Sequence, residues 1–289
     1  MAKEIVVLGA TGNIGTALVH HLLAQGHQVT AVARPSARLD ALAQAGAVIK
    51  AGDTHDAPFL TEALRGADAA FLVIPPNVTV PGVLAHMDQI GEATAQAVRD
   101  LGLKQVVRLS SIGADEPAGT GPVLGLHHQE ARLNAIEGLS VAHLRPAYFM
   151  ENLLANVGMV QHMDITGSAM RPDLQFPMVA TRDITAKAAE RLGPRNYSQQ
   201  DATAAIGQAI GRPELPYAPF SYEDAKKGML GAGLSESMAS LYDEMTRNMN
   251  EEKVMVSAPR DAASTTPTTV EKFARSVFAP AFKAATAGA

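Results

Sequence analysis

The sequence predicts an α/β protein built on a doubly wound parallel sheet, and three observations carry that expectation. Short apolar runs alternate with segments of helical spacing through the first half of the chain. These runs are short, rich in apolar residues and mostly not alternating, as parallel strands covered on both faces should be. Between the first run and the first helical segment lies a glycine-spaced stretch, VVLGATGNIGTAL (6–18).

The predicted strands are EIVVLG (4–9), QVTAVA (28–33), AVIK (47–50), AAFLVI (69–74), QVVRLS (105–110) and SVAHLR (140–145). In IGTALVHHLLAQG, Ile14, Leu18 and Leu22 recur at helical spacing. In IGEATAQAVRDLG, Ile90, Thr94, Ala97, Val98 and Leu101 form one stripe. Gly26 and Gly102 stand where left-handed helix caps are expected. Ser198 with Asp201 predicts a capping box for QQDATAAIGQAIG.

Composition narrows the function. A chain of 289 residues with 47% hydrophobic content can bury one large core or two modest ones. Net charge is −5 and the 24 Lys and Arg are scattered, so no direct nucleic-acid partner is expected. The absence of cysteine excludes a disulfide framework, a thiolate metal site and a thiol nucleophile. MAKEIVVLG is too short in its apolar part for a signal segment, and no later run is long enough to span a membrane, so the expected location is cytoplasmic, with no membrane partner.

The loop Gly9-Ala10-Thr11-Gly12-Asn13-Ile14-Gly15 fits a diphosphate. Gly9 permits the tight turn, Gly12 lets the main chain approach the pyrophosphate, and Gly15 lets helix and strand pack closely. Amides at the helix start then face the phosphates. An acidic residue about 20 residues on would hold the ribose of NAD, yet the second strand ends in Val32-Ala33-Arg34-Pro35-Ser36. Arg34 offers a planar fork of donors to a 2′-phosphate, with Ser36 or Arg38 to assist, so NADP(H) is expected in preference to NAD(H). Asp53, after the third strand, either accepts from the adenine amino group or serves its own turn; the sequence leaves both open.

The stretches VVLGATGNIG (6–15), VARP (32–35), AGDTHD (51–56), FLVIPP (71–76), VVRLSSIGAD (106–115), LRPAYFMENLL (144–154) and GPRNYS (193–198) resemble the NmrA-like family of atypical short-chain dehydrogenase/reductases, over nearly the whole length. That family includes NAD(P)H-dependent quinone, azo-dye and triphenylmethane-dye reductases as well as redox-sensing regulators. The resemblance implies a Rossmann-type sheet, with residues 1–150 binding the dinucleotide and residues 151–289 forming a smaller, mostly helical substrate lobe. It implies cofactor contacts from Gly9 to Ile14, from Arg34, from Ile74, Pro75 and Pro76, and from Arg145, Pro146 and Tyr148 up to Met150. A small aromatic or quinone-like molecule is the implied substrate, and a homodimer is one open assembly. In the family, ITAKAAERL (184–192) would be followed by a further strand; here Leu192 runs directly into Gly193.

Typical members of the wider superfamily use a Ser on the fifth strand and Tyr-x-x-x-Lys on the next helix, where the Lys lowers the phenol pKa from about 10. Ser110 and Ser111 are present, but the helix reads His127-His128-Gln129-Glu130-Ala131-Arg132. Tyr222-Glu223-Asp224-Ala225-Lys226 has the spacing far downstream, where Ser221 and Asp224 mark a capped helix start. Reduction of a quinone-like or azo acceptor needs alignment more than a strong acid. His128 is the first candidate to assist, set against a plain surface histidine. Tyr148 either donates a hydrogen bond near the nicotinamide or packs there, while Glu151 and Asn152 cap or orient the segment. His127, His128 and Glu130 lack the spacing of a zinc helix, so no metal is expected. Three readings result: an NADPH-dependent reductase of quinone-like or azo acceptors, a non-catalytic NADP(H)-binding redox sensor, and an extended reductase of nucleotide sugars, which the missing Tyr and Lys disfavour.

Overall fold

A computed structural model describes residues 2–74, 77–186, 196–255 and 266–287. The chain divides into two compact units. The first comprises Met1–Pro117 and Val123–Arg145 with Thr185–Ala188, the second Ala118–Pro122, Pro146–Ile184 and Ala189–Ala289.

In the first unit the alternating pattern folds as β1 (Glu4–Leu8), α1 (Asn13–Ala24), β2 (Gln28–Ala33), α2 (Ala37–Gln44), β3 (Val48–Ala51), α3 (Ala57–Leu64), β4 (Ala69–Leu72), α4 (Val83–Asp100), β5 (Gln105–Leu109), α5 (Leu124–Asn134) and β6 (Ser140–Leu144). The six strands form one parallel sheet in the order β3-β2-β1-β4-β5-β6. Strand order therefore reverses beside β1: Val6 pairs with Thr30 of β2 on one side and with Ala70 of β4 on the other. Loops leaving β1 and β4 diverge there, which opens the crevice where such sheets bind ligands. Val6, Leu8, Leu60, Leu64, Leu72, Val98, Val106 and Leu133 pack into one cluster that joins the sheet to α3, α4 and α5. The stripe expected for α4 is buried at Ile90, Thr94, Ala97 and Val98. In α1 the buried residues are Ile14, Gly15 and Val19, with Leu18 and Leu22 half-buried at the flank, because the glycine side of the helix is pressed onto the loop before it. Gly26 and Gly102 close α1 and α4 with φ of 81° and 60°.

The second unit is held by Met150, Leu153, Phe176, Met178, Tyr197, Ile206, Phe273 and Phe278. Its strands are short: β7 (Tyr148–Phe149), β9 (Phe176–Val179) and β10 (Asn196–Tyr197) in one sheet, and β8 (Thr166–Ser168) with β11 (Tyr217–Pro219) in another. The helices are α6 (Val157–Met163), α7 (Thr181–Ala186), α8 (Gln199–Ile210), α9 (Tyr222–Gly231), α10 (Glu236–Asn250), α11 (Val270–Phe273) and α12 (Ala279–Ala287). The Ser198–Asp201 capping box starts α8. Ser221 caps α9, and Lys226 turns to Glu236 and Ser240, so the Tyr222–Lys226 spacing belongs to a helix start. The strand expected to be missing at Leu192–Gly193 lies outside the described residues. Among the described residues, no helix is long and apolar enough to cross a membrane.

Leu133 is fully buried and Val48 is 58% exposed. Leu133→Ala is expected to cost about 2–5 kcal/mol in urea unfolding, whereas Val48→Ala should stay within about 0.5 kcal/mol.

Candidate functional site

The glycine loop after β1 is shaped by two close approaches. Gly9 has φ 67°, and a Cβ there would lie 2.6 Å from Cγ1 of Val73, in the loop after β4. A Cβ on Gly15 would lie 2.2 Å from the Gly9 carbonyl oxygen. Only glycine permits either contact. Gly12 differs: its N–H donates to the Gly9 carbonyl at 3.0 Å, the residue is exposed, and an added Cβ would meet nothing closer than 3.3 Å. As the residue before α1 it has no side chain to cap the helix, which leaves first-turn amides at Asn13 and Ile14 for an anion. Ala10 is buried and tied to the end of β2 by its N–H to the Val32 carbonyl, at 3.1 Å. Thr16 Oγ1 donates to the Ala10 carbonyl, and Arg38 donates to the Thr11 carbonyl at 3.3 Å.

Arg34 follows β2 directly, is exposed, and forms no ion pair among the described residues. Asp53 accepts from the main-chain N–H of His55 at 3.0 Å and contacts the His55 ring Nδ1. These hydrogen bonds hold its carboxyl below the ordinary value. The carboxylate thus serves its own turn, through Oδ1. Ile74 is buried at the end of the run after β4, while Pro75 and Pro76 lie outside the described residues.

At the end of β5, the structure shows a buried ionic cluster that motif reading passed over. Ser110 donates to Glu130 of α5 at 2.5 Å, and Arg145 grips both oxygens of that carboxylate, Nε to Oε1 at 3.1 Å and Nη2 to Oε2 at 2.5 Å. Burial pushes the Glu130 carboxyl up, and the hydrogen bonds from Arg145 and Ser110 outweigh this, so its pKa lies below the usual value. Arg108, two residues before Ser110 on β5, is 1% exposed, and its two Nη atoms have no hydrogen-bond partner among the described residues. Burial lowers its pKa to about 10, against the attraction of Glu130. The Ser110 proton is committed to Glu130, which leaves only its lone pairs for a ligand. A signal was available: Glu130 shares the buried face of α5 with Leu133 and Gln129, where an acid requires a partner.

His128 stands apart from this cluster. It is two residues from Glu130, about 200° around the helix, and its Nδ1 bonds Asp88 of α4 at 2.9 Å. Arg132 binds the same Asp88 and also Glu92. His127 Nδ1 lies 2.9 Å from the Ala114 carbonyl. The expectation that His128 assists chemistry beside Ser110 therefore finds no geometric support; an α5 residue facing Ser110 shares the helix face of Glu130. In the second unit, Tyr148 packs edge-on to Phe176 with ring centroids 5.3 Å apart. Burial pushes its phenol up to about 12, against hydrogen bonds with Gln199 and Asn152. Glu151 does not cap its own segment but accepts from the N–H and hydroxyl of Thr181. Pro146 is buried. Among the described residues no group of three or more His, Asp or Glu could hold a metal. A surface concavity of about 480 Å³ between α3 and α4 contains one ionisable side chain, Glu92, already paired with Arg99 and Arg132.

Because the folded pKa of Glu130 is lowered, its contribution to stability is complete above the ordinary value of 4.5 and is lost as pH falls through the lower folded value. Glu130→Gln is expected to lower stability by roughly 1–3 kcal/mol near neutrality. Urea midpoints of the two proteins should draw together as pH falls below the ordinary carboxyl value; a gap that stays constant on acidification contradicts the assignment.

The sequence pattern of the NmrA-like family matches residues 1–209. An NAD(P)H azoreductase of Xenophilus azovorans is 30% identical over 258 residues, covering 83% of this chain and 85% of that protein. Quinone oxidoreductase 2 of Escherichia coli (strain K12) is 27% identical over 258 residues, covering 82% and 85%. In three dimensions, an NADPH-dependent quinone oxidoreductase from Escherichia coli superposes with a TM-score of 0.74 at 20% identity, covering 95% of this chain and 99% of that one. NmrA, a negative transcriptional regulator crystallised with NADP, superposes with a TM-score of 0.70 at 17% identity and 98% coverage of each chain. With the glycine loop, the sheet order and a sequence match over residues 1–209 in agreement, the chain belongs to the NmrA-like family.

Proposed function

We propose that the protein is an NADPH-dependent reductase that passes hydride to a quinone-like or azo acceptor. Residues 1–150 hold the dinucleotide, and 151–289 select the acceptor. The observation that carries this reading is the loop after β1: an exposed Gly12, uncapped amides on α1 and an Arg34 just past β2 that has no ion pair among the described residues. The fit of the loop to a diphosphate is supported by Gly12, which is exposed and leaves the first-turn amides of α1 without a side-chain cap. Relatives named as azoreductase and quinone oxidoreductase support the reaction class.

Gly9 to Ile14 bind the pyrophosphate through main-chain amides, and Arg34 pairs with the 2′-phosphate. Arg145, held by Glu130 and preceding Pro146, fixes the start of the segment that the family places near the nicotinamide. The bound nicotinamide supplies the hydride. No side chain has to deliver a strong acid, since a reduced quinone or azo product can take its proton from water. Tyr148 suits a hydrogen-bond donor rather than a proton donor: with its phenol pushed up to about 12, it does not yield its proton to a phenolic product of ordinary pKa near about 10. Ser110 can accept a hydrogen bond while its own proton stays on Glu130.

A second reading, a redox sensor that binds NADP(H) without turnover, is favoured by the likeness to the NADP-bound regulator and by the absence of Tyr-x-x-x-Lys from α5. Purified protein with NADPH and a panel of quinones and azo dyes separates the two. Oxidation of NADPH, followed by absorbance, is expected; tight binding with no oxidation across the panel selects the sensor. Arg34→Glu should weaken NADPH much more than NADH in calorimetry, and equal losses would refute the 2′-phosphate assignment. Should the folded protein give no heat with either coenzyme, both readings fail.

A further inference from the structure

Resting on the NADPH reading above, we propose that His55 is a cofactor-selectivity residue. It retains the Asp53 carboxylate within its own turn and so keeps Arg34 free for the 2′-phosphate.

The two opposite charges lie at neighbouring strand ends. Ala33 of β2 is in register with Ala51 of β3, and the Gly52 N–H donates to the Ala33 carbonyl at 3.1 Å. Arg34 and Asp53 are the residues just beyond these two positions. Arg34 acts electrostatically on Asp53, yet its influence is the smallest; the two largest are hydrogen bonds from His55, first its ring and then its main-chain N–H. Arg34 accordingly has no ion pair among the described residues. Asp56, the next acid along, is committed to capping α3 through the Phe59 N–H.

The turn alone does not call for histidine at this position. Any residue other than proline supplies the amide that Asp53 accepts at 3.0 Å; the additional ring contact is what histidine contributes. That ring is fixed from a different element, stacked on His86 in the first turn of α4 with centroids 4.8 Å apart and planes 23° apart. Nε2 of each ring is buried without a hydrogen-bond partner among the described residues. Leaving two such nitrogens unpaired is costly, and the stack holds Nδ1 of His55 against the carboxylate. Released from His55, Asp53 would both pair with Arg34 and repel a 2′-phosphate.

The test is calorimetric titration of wild type, His55→Ala, His55→Phe and the double variant His55→Ala/Asp53→Asn with NADPH and NADH. His55→Phe keeps an aromatic ring to stack on His86 and removes only the Nδ1 contact. Both single variants are expected to lose NADPH affinity by roughly two- to five-fold, the scale of an exposed ion pair, with NADH affinity unchanged or raised. The double variant should regain the wild-type ratio of the two affinities. Adenine is common to both coenzymes, so any adenine contact of Asp53 cancels from that ratio. A ratio unchanged in both single variants, or a loss that persists in the double variant, overturns the inference while leaving the NADPH reading intact. A wild type that does not prefer NADPH removes the 2′-phosphate assignment and this inference together.

Discussion

The first unit depends on how closely α1 can approach the end of β1. The Gly9 carbonyl sits where a side chain on Gly15 would begin, so the helix packs on the strand through main-chain atoms alone. That contact buries Ile14 and Val19 against the sheet and sets α1 with its uncapped end above the point where strand order reverses. The anion-binding potential of the loop is thus a product of packing: the amides are free because Gly12 cannot cap, and Gly12 is tolerated because the two other glycines have already fixed the turn.

A second device operates at the far side of the crevice. A hydroxyl and a guanidinium converge on the Glu130 carboxylate, joining β5, α5 and the end of β6. Superfamily members with a Tyr and a Lys on this helix use the serine as a partner in proton transfer; here the serine is locked to an acid. Chemistry that draws its proton from solvent is compatible with that arrangement, and chemistry that polarises an unactivated ketone is not well served by it.

Much of this was legible beforehand. Parallel strands reveal themselves by short apolar runs that mostly do not alternate, and all six strands of the main sheet lie where such runs stand, with ends shifted by at most two residues. Gly9 and Gly15 were readable because backbone geometry leaves only glycine at those points. The roles of Glu130 and Arg108 were not, because what defines them is a partner 15 to 22 residues away or the absence of one. His128 illustrates the converse. Spacing along the chain put it near the chemistry, but a two-residue offset from Glu130 turns its ring to Asp88. Asp53 was ambiguous for a similar reason: the His55 main-chain N–H and ring together hold its carboxylate in the turn, and the ring contact is not visible from spacing.

Arg108 carries a consequence for the durability of the molecule. A guanidinium sealed inside β5 with its outer nitrogens unmet forgoes hydration without full recompense from any neighbour, and aliphatic side chains of similar volume often do better in such surroundings. Anyone wishing to make this scaffold more heat-tolerant would look to that buried position on β5, next to the edge strand β6, rather than to the surface.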